Sequence, residues 1–102
     1  AGWVRAIDRA QRRLKSGKYP IGVPVLLMHS DKSVDGESWS PDFQKADAVL
    51  DVADISRYGR NLGNDVTEAT VTDGLHDLVL SSPKVRHGVY RTMTDWIRSH
   101  VD

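Results

Sequence analysis

At 102 residues the chain has the size of one small domain, with room for a single hydrophobic core. It holds no apolar run near the ~18 residues of a membrane span, its 14 basic and 14 acidic side chains cancel, and it lacks cysteine. A membrane-spanning role, disulfides and thiolate chemistry are thereby excluded, nucleic acid is a poor partner, and a cytoplasmic location is the expectation.

An amphipathic pattern begins at once, with Trp3, Ile7, Ala10 and Leu14 at helical spacing and Arg5, Asp8, Arg9, Arg12 and Arg13 between them. Charges stand where a signal peptide would be apolar, so either the start is processed or the chain is an excerpt of a longer protein, and an excerpt is the expectation. The helix is expected to stop at Ser16-Gly17, followed by Tyr19-Pro20 and Gly22 as loop residues. Val23-Pro24-Val25-Leu26-Leu27-Met28-His29 is a nearly continuous apolar run, the pattern of a parallel strand covered on both faces. Ser30 to Gln44 is polar and aperiodic and reads as a long loop, pinned to the body by Trp39 and Phe43.

Helical spacing returns from Asp51 to Leu62, with Asp51 as N-cap and Gly63 as the stop. The β-branched stretch Val66 to Thr72 predicts a second strand leading into the turn Asp73-Gly74. Ser81-Ser82-Pro83 opens a last helix whose buried stripe is expected to be Val85, Val89, Met93, Trp96 and Ile97. The order helix, strand, helix, strand, helix implies parallel strands, and a parallel sheet of two strands should leave an edge and a face without a partner.

Three segments carry chemistry: Pro24-Val25-Leu26-Leu27-Met28-His29-Ser30; Ala46-Asp47-Ala48-Val49 running into the helix that ends at Leu62-Gly63; and Gly74-Leu75-His76-Asp77-Leu78. Together they resemble the C-terminal portion of α/β-hydrolases of the lysophospholipase and serine-aminopeptidase-like branch. In that branch a PVLLLHG strand precedes the acid, the acid lies in an xDxxV loop, and a GxHD motif carries the histidine. The resemblance covers nearly the whole chain and implies an α/β fold class: an incomplete α/β-hydrolase fold of two parallel strands with flanking helices over residues 1–102. It implies Asp47 as the triad acid and His76 as the triad histidine. The long insertion from Asp31 to Lys45 departs from the family and makes Asp31, nearest the strand end, the alternative acid. Asp77 reads as a local cap or turn residue. His29, at the end of the strand, reads as a structural hydrogen-bonder, and His87 and His100 as solvent-facing; no metal-ligand spacing joins the four histidines, and no cofactor is expected.

The family order is serine, acid, histidine, with the serine on a GxSxG elbow. No such motif is present; Gly36-Glu37-Ser38-Trp39-Ser40 lacks the final glycine and follows no strand. The resemblance therefore implies that the nucleophile belongs to a missing N-terminal half, the partner that this chain needs, and that the chain alone is inactive. The substrate expected of the whole enzyme is a small ester, lipid-like or acylglycerol, or an amide. The rival reading is a non-catalytic βα interaction module that self-associates as a homodimer through its exposed sheet edge.

Overall fold

The computed structural model describes residues 2–35 and 39–101. Helix α1 spans Gly2–Ser16, strand β1 Val25–Ser30, helix α2 Val52–Gly59, strand β2 Val66–Val71 and helix α3 Pro83–His100, with short 3-10 turns at Pro41–Gln44, Arg60–Leu62 and Leu78–Leu80. Strands β1 and β2 pair in parallel, Val25 opposite Val66 through Ser30 opposite Val71. The described residues therefore form a mixed α/β unit around a two-stranded sheet. Among them, no helix is long and apolar enough to cross a membrane.

Local chemistry sets the boundaries of these elements. Gly17 takes a φ of 68° and stops α1, with its N–H on the Leu14 carbonyl. The Asp51 carboxylate caps α2 by accepting the Ala53 N–H at 2.9 Å. Helix α2 tightens into the 3-10 turn at Arg60 instead of running on to Leu62 as one helix. Pro83 opens α3 as expected, its fixed φ suited to the first helical position, and the Ser82 hydroxyl makes no capping bond.

Side chains alternate across β1 and place helices on both faces. Leu27 packs on Gly59 of α2 and borders a groove with Leu14 of α1 and Ile55 and Tyr58 of α2, whereas Leu26 and Met28 border another with Val89, Met93, Trp96 and Ile97 of α3. The α2 contact is close: a Cβ on Gly59 would lie 2.5 Å from a Leu27 methyl carbon.

The core is thin. Only Ala46 and Val89 are buried hydrophobics among the described residues. The stripe expected on α3 is correct in position, yet Met93 and Ile97 remain 39% and 48% exposed because no described element lies opposite them. The apolar stripe of α1 likewise touches the body only near Leu14, leaving Trp3 and Ile7 outside. Trp39, expected to pin the long loop, is 69% exposed; Phe43, in the 3-10 turn, is half-buried. The chain exposes 7511 Å² where a compact monomer of 11.4 kDa exposes roughly 5,800 Å². Its radius of gyration is 15.2 Å against about 13 Å for a compact domain of this length.

Gly59→Val should force α2 off Leu27 and cost about 1–3 kcal/mol. The expected readout is a lower urea midpoint with an unchanged m value.

Candidate active site

The long loop after β1 is not a free excursion. It returns so that Ser33 and Asp47 form a parallel bridge, in which Asp47 N–H donates to the Lys32 carbonyl and Val34 N–H to the Asp47 carbonyl, both at 2.9 Å. The Ser33 hydroxyl adds a second fastening, donating to the Leu50 carbonyl and accepting the Val52 N–H, each at 2.8 Å. The insertion thus delivers Asp47 to the C-terminal end of β1 despite its length. Gly36, Glu37 and Ser38 lie outside the described residues.

Asp47 is 2% exposed, and a carboxylate so placed must have its oxygens satisfied. Oδ1 accepts the N–H groups of Val49 and Leu50 at 2.7 and 2.8 Å. Oδ2 accepts from His76 Nδ1 at 2.9 Å. Burial alone would push the carboxyl up, but the Leu50 N–H, the His76 ring and the Val49 N–H together outweigh it and hold Asp47 below its ordinary range. An ionised carboxylate only accepts, so Nδ1 carries the hydrogen, and in the neutral form of the ring the lone pair lies on Nε2. The His76 side chain is 42% exposed and borders the groove lined by Leu26, Met28, Met93 and Trp96, and Nε2 makes no hydrogen bond among the described residues.

The turn that carries His76 leaves β2 tightly. Asp73 adopts a φ of 60°, and Gly74 packs where a Cβ would lie 2.8 Å from a Leu78 methyl carbon and 3.2 Å from Val71. The buried Ser81 hydroxyl accepts the Leu75 N–H at 2.9 Å and so holds the turn against the start of α3.

Asp31, the alternative acid, does not meet His76. Its Oδ1 accepts the Asp73 N–H at 3.1 Å while its own N–H continues the ladder to the Val71 carbonyl. Lys32 Nζ donates to Asp73 Oδ1 at 3.0 Å and, by that bond, holds the Asp73 carboxyl low. Asp31 and Lys32 therefore tie the exit of β1 to the exit of β2, the two points from which acid and histidine depart.

The other histidines are accounted for otherwise. His29 is buried, with Nδ1 at 2.7 Å from the Ser30 carbonyl and Nε2 at 2.9 Å from a Glu68 carboxylate oxygen, so neither nitrogen is free for proton transfer. His87 and His100 are exposed, and the His100 ring stacks on Trp96 with centroids 4.6 Å apart. Asp77 precedes the 3-10 turn at Leu78–Leu80 without a side-chain capping bond. Among the described residues, no three His, Cys, Asp or Glu side chains cluster to hold a metal ion. The groups that the motif reading missed are those that hold the pair: the Val49 and Leu50 N–H groups, Ser81, and the Asp31–Asp73–Lys32 tie. The first has a signal in Asp47-Ala48-Val49, since aspartate readily accepts backbone N–H groups two residues on. Ser81 has none.

Asp47→Asn retains an acceptor for Val49 and Leu50 but turns an N–H toward His76 Nδ1. The ring should then switch tautomer and carry its hydrogen on Nε2, visible in its 15N shifts, with about 1.5–3 kcal/mol of stability lost at neutral pH. Because the folded Asp47 lies below its ordinary value of 3.8, the unfolded chain takes the proton first. The Asp47 contribution should be present above that value and fade as pH falls below it, a slope that Asp47→Asn should lack in urea titrations.

Comparison with known proteins identifies no relative: no family model, curated protein or solved structure matches the chain.

Proposed function

We propose that this chain is the acid-and-histidine portion of a serine hydrolase of α/β-hydrolase type, acting on ester bonds, lipid-like or acylglycerol, or on amides. One observation carries the reading: a buried, ionised Asp47 held by two backbone N–H groups accepts the Nδ1 hydrogen of His76 at 2.9 Å, while Nε2 makes no hydrogen bond among the described residues and the ring borders an apolar groove. That is the arrangement that a general base needs.

In this mechanism a serine Oγ from a segment outside the chain attacks the acyl carbonyl and passes its proton to His76 Nε2. Asp47 keeps the ring in register and stabilises the imidazolium without taking the proton. The tetrahedral intermediate collapses as His76 returns that proton to the leaving alcohol or amine. Water then attacks the acyl-serine, giving a proton to His76, and the serine regains it as the acid departs. The oxyanion donors also come from outside the chain.

The test is a polypeptide extended upstream of Ala1 to include the proposed nucleophile segment, assayed on a short-chain aryl ester and with a serine-directed fluorophosphonate. Extension should bring both ester turnover and labelling, which the chain alone lacks. His76→Ala should lower kcat by at least about 10³-fold, and Asp47→Asn by about 10⁴-fold through the wrong tautomer. An extended protein with no reactive serine, or with turnover indifferent to His76→Ala, sinks the reading.

A further inference from the structure

The two strands of the sheet are built differently. Strand β1, Val-Leu-Leu-Met-His-Ser, carries no carboxylate or lysine, and Leu26, Leu27 and Met28 serve both faces. Strand β2, Val-Thr-Glu-Ala-Thr-Val, exposes Thr67, Glu68 and Thr70. Polar, charged residues are how proteins protect an outer strand, and apolar residues on both faces mark an inner one. Strand β2 is thus written as an edge and β1 as an interior strand, yet no described strand lies on the far side of β1.

The ladder identifies the open groups. Val25 N–H donates to the Asp65 carbonyl and Asp31 N–H to the Val71 carbonyl, so the odd-numbered residues of β1 face β2. The N–H and C=O groups of Leu26 and Met28 consequently point to the open edge. Beside that edge lies a groove of about 640 Å³ lined by Leu26, Met28, Val89, Met93, Trp96 and Ile97, among other residues. The Trp96 indole N–H, on the same groove, is buried and has no acceptor among the described residues.

We infer that the open edge of β1 and the adjoining α3 groove form an isologous interface, and that a second copy of this chain occupies it. Identical edges related by a two-fold axis pair antiparallel, β1 against its mate, and join two sheets into one of four strands with β2 protecting each end. The self-pairing edge carries no like charges, and the chain has no net charge to oppose association. The chain as a whole exposes 7511 Å², roughly 1,700 Å² more than a compact monomer of its mass; the uncovered Met93 and Ile97 of this groove contribute to that excess, and a stable interface needs about 800 Å² from each partner. This assembly stands independently of the hydrolase reading.

Sedimentation of the 102-residue chain across a concentration series should give a species of twice 11.4 kDa. Amide exchange should show Leu26 and Met28 gaining protection as concentration rises, whereas Leu27 and His29, bonded within the chain, stay protected throughout. Met28→Pro removes an N–H from the open edge only, a position where proline is tolerated, and should weaken dimerisation at least tenfold while Met28→Ala weakens it less. Met93→Lys, on the exposed side of α3, should weaken it as well without disturbing the ladder. A chain that stays monomeric, or a dimer in which Leu26 and Met28 exchange independently of concentration, overturns the inference. The exchange measurement on the unmodified chain decides the matter even if Met28→Pro does not fold.

Discussion

A buried carboxylate constrains this structure more than any hydrophobic contact does. Asp47 is nearly inaccessible in a chain with only two buried hydrophobic side chains among its described residues. An ionised group in that position is tolerable only when its oxygens are filled. The Val49 and Leu50 N–H groups occupy one oxygen and His76 the other. Those bonds fix the loop before α2, the return of the long insertion, and the turn after β2. Ser33 and Ser81 then secure the two loops from behind. The polar framework around Asp47 is therefore better determined than the apolar packing around it, which is unusual for a unit of this size.

The elements were readable because each carries its own local signal. Helical spacing in Trp3 to Leu14, the Asp51 cap, the Pro83 start and the apolar run of β1 act over a few residues and do not depend on the rest of the fold. Burial was less readable because it depends on what lies opposite. Met93 and Ile97 fall on the correct face of α3 but no described element covers them, and Trp39, expected to pin the long loop, is exposed. Periodicity gives the direction in which a side chain points, not the presence of a neighbour.

The placement of the candidate site was partly legible for a related reason. His76 follows a strand and a glycine turn, a local pattern, and lies where that pattern puts it. The meeting of Asp47 with His76 is long-range and was suggested by a family resemblance, since residues 31–45 separate Asp47 from its strand by a distance that sequence cannot fold. The Ser33–Asp47 bridge folds it. Asp31 was the simpler choice by proximity to β1, but proximity along the chain favours local backbone partners, and Asp31 found one in Asp73. What could not be read was the second layer of support, because a serine such as Ser81 can serve as a cap, a tether or a surface residue from the same sequence context.

The open edge and the free ring nitrogen lie on the same side of the molecule. The groove that borders His76 is lined by Leu26 and Met28, whose backbone groups form that edge, and by the uncovered residues of α3. A strand added beside β1 therefore covers apolar surface and, in the same step, removes water from around His76. Proton transfer through Nε2 gains from such a dry, preorganised setting, since the Asp47 carboxylate stabilises an imidazolium more strongly where solvent screening is low. On the proposed function, the occupant of the edge would decide what the Asp47–His76 pair can do. A second copy brings another such pair and no serine elbow, whereas a nucleophile-bearing segment would bring the reacting group. If both bind at β1 they exclude one another, and by mass action each lowers the apparent affinity of the other. Self-association would then hold the pair assembled but without a nucleophile.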